Sequence, residues 1–158
     1  EFLVAKALGI EKAENVNYWT AYDMAYRNKR IEVKATSYVH PWNKEISKIR
    51  TFSIAPTNNS CWENQDAEQK LSRQSEVYVF CLNTNKDIEK RNALAVDDWV
   101  FYVVPTFVID GYCKETPAQK KISLNVVRRL AKEEVSYDRL REAVDETIVL
   151  SDSYNMGK

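Results

Sequence analysis

The run Val77-Tyr78-Val79-Phe80-Cys81-Leu82 places six β-forming residues in succession with no polar break. Such a run reads as a strand buried inside a sheet. A second β-rich run covers Trp99–Ile109, but Pro105 lacks an N–H and must split it or lie on an edge. Thr51–Ala55 alternates as a short strand stopped by Pro56. Upstream, Ala21–Tyr26 and Arg30–Ser37 form a pair of strands joined by a tight polar turn at Arg27-Asn28-Lys29.

Helical patterns fill the gaps. Phe2–Leu8 is helical and ends near Gly9, a natural C-cap residue. Gln65–Arg73 is a short, weakly amphipathic helix. Ser123 caps a helix over Leu124–Lys132, and Ser136 caps another over Tyr137–Ile148, with Tyr137, Leu140 and Val144 on one face. Loops are expected at His40-Pro41-Trp42-Asn43, over Thr57–Asn64, over Asn83–Ala95 and after Gly111. The order helix, three strands, helix, two strands, two helices predicts an α/β chain, a mixed sheet with helices packed on it. Its 158 residues fit a single domain, with the helical pair at about 123–148.

Composition removes several classes of function. No apolar run reaches bilayer length and no signal-peptide pattern opens the sequence, so no membrane partner is expected. Cys61, Cys81 and Cys113 are odd in number and widely spaced, which suits small hydrophobes in a reducing cytoplasm better than a disulfide framework or zinc knuckle. Glycine occurs only at positions 9, 111 and 157, so no phosphate-cradling loop exists for a P-loop or dinucleotide fold.

Net charge is zero, yet its distribution is uneven. Arg27 to Arg50 holds seven Lys/Arg against two acids, and Glu133 to Asp152 holds seven acids against two arginines. The basic run is either a rim for a phosphate backbone or, like the acidic run, a solvated face.

The basic run surrounds the residues with most chemical content. In a strand, residues two apart share a face. Glu32 and Lys34 therefore project together, while Ile31, Val33 and Ala35 turn the other way. If the two strands pair, Asp23 approaches Glu32. Mg²⁺, or Mn²⁺ in its place, needs hard oxygen ligands and keeps several waters, so two carboxylates suffice, with the Val33 carbonyl as a third ligand. Lys34 would orient the attacking water or stabilise charge on the phosphorane oxygens. The plain alternative is a half-exposed strand whose outer face carries Arg30, Glu32, Lys34 and Thr36.

The helix, the hairpin with Asp23 and the Glu32-Val33-Lys34 strand resemble the PD-(D/E)xK nuclease superfamily, the restriction-endonuclease-like fold. The resemblance implies a core of helix, three strands, helix and strand, with Asp23 and Glu32 as metal ligands and Lys34 as the catalytic lysine. Some members add a glutamate from the first helix, for which Glu1 is the residue in place. Tyr22 stands where the family name has proline. Ser75–Asp110 resembles uncharacterised bacterial proteins of the superfamily. The implied activity is metal-dependent endonucleolytic hydrolysis of DNA, with a homodimer as one way to cut both strands. The competing expectation is a binding or interaction module that keeps the scaffold without turnover.

Nucleic-acid contacts would fall to Arg27, Lys29, Arg30, His40, Trp42 and Lys44. His40 is the only histidine and no Gly-x-Ser-x-Gly elbow exists, so a serine triad is not supported. Trp42 and Trp62 sit in expected loops and could stack on bases, whereas Trp99 is expected to be packed. Gln69 and Gln74 are further candidates to line the site. The two C-terminal helices have helix-turn-helix length, but Asp138, Glu142, Asp145 and Glu146 would repel DNA. They are expected to pack or to dimerise.

Overall fold

A computed structural model describes residues 1–10, 22–40, 43–46, 50–57, 71–87, 89 and 92–157, without the side chains of 40 and 43–46. Its elements in chain order are α1 (Phe2–Leu8), β1 (Met24–Tyr26), β2 (Lys29–Ser37), β3 (Val39–His40), β4 (Asn43–Ile46), β5 (Thr51–Ser53) and β6 (Val77–Asn83). They continue with β7 (Trp99–Pro105), α2 (Thr106–Tyr112), β8 (Lys121–Ser123), α3 (Leu124–Leu130) and α4 (Leu140–Met156). A mixed four-stranded sheet runs in the order β1-β2-β6-β7. β2 is parallel to β6, from Ile31↔Val77 to Ser37↔Asn83, and the outer pairs are antiparallel.

β6 is buried along its whole length because both of its faces are covered. Its alternation sends Val77, Val79 and Cys81 to one side, where α1 supplies Val4 and Leu8 and α4 supplies Leu140, Val144 and Ile148. Tyr78, Phe80 and Leu82 go to the other side, against Phe52 of β5, Ile122 of β8, Ile109 of α2 and Leu124 and Val127 of α3. Two hydrophobic cores therefore share one sheet. Along α4 the buried residues Leu140, Val144, Thr147, Ile148 and Ser151 recur at helical spacing and form the stripe laid on the first core. Ser123 caps α3 as the sequence predicts, its Oγ accepting from the Val126 N–H at 3.4 Å.

Several elements differ from their sequence expectations. Ile109 and its neighbours are helical, not extended: Pro105 ends β7 on the sheet edge and serves as the N-cap of α2, and Gly111 lies inside that helix. β5 is not part of the main sheet; it pairs with β8, and Phe52↔Ile122 is their central pair. Within the expected loop at His40–Asn43, His40 and Asn43 are strand residues that pair with each other, and residues 41 and 42 lie outside the described residues. The expected helix Gln65–Arg73 lies outside the described residues except for its end, where Ser72 is not helical but bridges Thr57. α3 stops at Leu130, and the segment after Ser136 begins as a 3₁₀ turn over Tyr137–Arg139 before α4, which runs on past Ile148 to Met156. Among the described residues no helix is long and apolar enough to cross a membrane.

Candidate functional site

The β1–β2 turn is two residues long, with Arg27 and Asn28 both in the left-handed region (φ 49° and 61°). Paired positive φ values match the twist of a tight hairpin and set its register. At the far end of β1 the ladder changes. Met24 pairs with Ile31, and the Asp23 N–H also reaches the Ile31 carbonyl, at 3.1 Å. Asp23 is a bend residue just before β1, and this bond holds it against β2. Here the Asp23 carboxylate accepts from the Val33 N–H through Oδ2, at 2.7 Å. In a strand the N–H and C=O of one residue point to the same edge, so the Val33 carbonyl is directed to the side where Asp23 lies.

Glu32 and Lys34 project from the opposite face to Ile31 and Val33, and their side chains pair directly with one another. Ser75 Oγ donates to the second Glu32 oxygen at 3.5 Å. Across the parallel register Glu32 lies beside Tyr78, and Lys34 beside Phe80. Burial pushes the Glu32 carboxyl up; the bond from Lys34 opposes this and the charge of Asp23 adds to it, with a net rise above the ordinary value. Burial and the Glu32 charge likewise hold the Tyr78 phenol well above its usual range, so it stays a neutral hydroxyl. The Asp23 carboxylate thus stands at the edge of β2 beside Val33, and Glu32 and Lys34 pair on the adjoining face, where the Asp23 charge acts on Glu32.

The donor set fits a hard divalent cation, since two carboxylates and a carbonyl oxygen leave room for waters. Asp23 is exposed, and its Oδ1 has no partner among the described residues. Among the described residues no group of three or more His, Cys, Asp or Glu gathers, so any cation would rest on this two-carboxylate set. Glu1 is the N-cap residue of α1, which packs on the sheet face opposite Glu32.

The expected nucleic-acid contacts are placed differently. Arg27 pairs with Asp145 of α4 at 3.2 Å, and Lys29 pairs with Asp152 of the same helix. The hairpin cations that begin the basic run therefore face acids of α4. Arg30 is held by Glu76, through its own N–H at 2.7 Å and through its guanidinium. Trp42 and the side chains of His40 and Lys44 lie outside the described residues, as do Trp62 and Gln69. The Gln74 amide bonds Ser72 and the Thr57 carbonyl, bracing that bridge and not the site. Trp99 is half-buried and packs against the first core.

Ser75 and Arg73 were not legible as neighbours of the site. Arg73 is almost fully buried on the Tyr78 side, donating to the Ile54 and Gln119 carbonyls and pairing with Asp110 at 2.7 Å. Nothing local in the sequence marks an arginine for burial; its partners come from three distant segments.

Burial pushes the Glu76 carboxyl up, but the Arg30 bonds and charge outweigh it and hold the group below its ordinary value. A depressed carboxyl stabilises the fold above its unfolded pKa, and the contribution is lost as pH falls through its folded value. Glu76→Gln should cost about 1–2 kcal/mol at neutral pH, allowing for partial exposure of the pair. In urea unfolding, the difference from wild type should shrink on acidification. A gap that persists at low pH would contradict the assignment.

Comparison with known protein families, with curated proteins and with solved structures finds no match to this chain.

Proposed function

We propose that the chain is a divalent-metal-dependent nuclease of the PD-(D/E)xK kind, hydrolysing phosphodiester bonds in DNA. The observation that carries the reading is the clamp of Asp23 on the Val33 N–H, beside Glu32 and Lys34. A lone Glu-x-Lys on a strand is common; here a carboxylate from the preceding segment also bonds the residue between them. The mixed sheet with helices on both faces is the architecture such a site would need, and the restriction-endonuclease-like fold belongs to this proposal.

Asp23, Glu32 and the Val33 carbonyl would hold Mg²⁺ or Mn²⁺. The bound cation would polarise the phosphate and lower the pKa of a bound water. Lys34, paired with Glu32, would supply positive charge where the phosphorane becomes more negative. Tyr78, kept neutral, stands beside Glu32 in the β2–β6 register. Cutting both strands of a duplex would call for two copies of the site, hence a homodimer.

The test is cleavage of plasmid and of single-stranded DNA in Mg²⁺ and Mn²⁺, with Lys34→Ala beside the wild type. Cleavage that disappears in the variant supports the proposal. DNA binding without cleavage by the wild type transfers the reading to a non-catalytic nucleic-acid-binding module. Asp23→Asn keeps an acceptor for the Val33 N–H but removes the charge, so calorimetric Mn²⁺ affinity should fall about tenfold or more with the fold intact. An unchanged titration would remove Asp23 from the ligand set.

A further inference from the structure

Glu32 is engaged at both of its carboxylate oxygens. Oε1 pairs with the Lys34 ammonium, and Oε2 accepts from the Ser75 hydroxyl at 3.5 Å. Ser75 lies two residues before β6, and Glu76 between them is a bend. Ser75 is only 4% exposed, so little water competes for its hydroxyl.

The backbone that carries this hydroxyl is clamped from two sides. Thr106, the buried first residue of α2, donates through Oγ1 to the Ser75 carbonyl at 2.6 Å. Its N–H donates to the next carbonyl, that of Glu76, at 3.0 Å. On the other side the Glu76 N–H donates to the Arg30 carbonyl at 2.9 Å, and the Glu76 carboxylate accepts from the Arg30 N–H at 2.7 Å. The Ser75–Glu76 segment is therefore tied both to the start of β2 and to the start of α2. Nothing in these bonds requires the Ser75 side chain, which is left to serve Glu32.

A glutamate side chain is costly to order, and a lysine ammonium on a flexible stem is a point charge that fixes no direction. A hydroxyl on an anchored backbone does fix one. Hydrogen bonds of this kind orient the carboxylates that ligate metals. The distance is long for a hydroxyl and a carboxylate, and contacts in such sites tighten when the ligand arrives. We infer that Ser75 is a positioning residue for Glu32: its hydroxyl sets the carboxylate toward a divalent cation, and Thr106 holds that hydroxyl in place. The inference rests on the reading of Glu32 as a metal ligand and adds to it the group that aims the ligand.

The test is calorimetric titration of Mn²⁺ into the whole chain at fixed pH, beside thermal unfolding without metal. Ser75→Ala should weaken Mn²⁺ binding roughly tenfold, the lower end of the effect of losing a partner of a metal ligand, with an unchanged melting temperature. Ser75→Thr keeps the hydroxyl and should restore the affinity. In a Glu32→Gln background the same Ser75→Ala change should have no further effect, because Ser75 acts through the carboxylate. Wild-type affinity in Ser75→Ala overturns the inference, as does an equal loss in the Glu32→Gln background. A wild type that binds no Mn²⁺ overturns both the inference and the metal site. Plasmid cleavage separates the inference from the nuclease reading. Lys34-dependent cleavage with Mn²⁺ affinity indifferent to Ser75 removes the positioning role alone, and Ser75-dependent Mn²⁺ binding without cleavage removes the nuclease alone.

Discussion

Lys34→Ala should slow phosphodiester cleavage about 10²–10³-fold, the cost of removing one preorganised positive group from a developing oxyanion. The fold should survive, because β2 is held by backbone pairing to β1 and β6 and by Ile31 and Val33 on the other face. A second effect follows from the pairing of Lys34 with Glu32. Burial already raises the Glu32 carboxyl, and the lysine bond pulls it back. Without the lysine the carboxyl rises further, and a protonated carboxyl holds no cation. Metal affinity in the variant should therefore decline at higher pH than in the wild type, as calorimetric Mn²⁺ titrations at several pH values would read. A pure variant that cleaves within a factor of three of wild type would remove Lys34 from catalysis.

Phe80→Ala should have the largest effect on stability. Phe80 is fully buried in the middle of β6. It meets Phe52 edge-on at 5.0 Å and stacks with Tyr78 at 5.7 Å between centroids. Truncation removes the burial and leaves a cavity between two strands that cannot both move in, for a loss of about 3–5 kcal/mol. That is a large part of the roughly 5–15 kcal/mol that holds such a domain together. Urea unfolding of the variant should show a much lower midpoint at similar slope. A loss under 1 kcal/mol would mean that the second core is not packed around this ring.

What could be read from the sequence was local. The β-former run gave β6, the period-two alternation gave the face on which Glu32 and Lys34 stand, and Ser123 gave the start of α3. Asp23 was legible as a neighbour of that strand, although its bond to the Val33 N–H depends on where the bend before β1 holds it. The misses arose where distant segments decide. Thr51–Ser53 takes its partner from Lys121–Ser123, about 70 residues on, and so leaves the main sheet. The segment after Pro105 is apolar enough for a strand, but the proline ends the ladder and its fixed φ favours a helix start. The two charge runs looked like solvated faces or a phosphate rim because nothing in either shows that α4 lies against the hairpin.

The junction of α1 with α4 bears on the order in which the chain can assemble. Gly9, at φ +71°, ends α1, and Arg141 of α4 occupies the space a side chain there would need. The Arg141 Nε donates to the Ala7 carbonyl at 3.1 Å across 134 residues of sequence. During synthesis α1 therefore leaves the ribosome long before its clamp exists, and a seven-residue helix is too short to persist unaided. Val4 and Leu8 share one cluster with Leu140, Val144 and Ile148, so their full burial waits on an element made more than a hundred residues later.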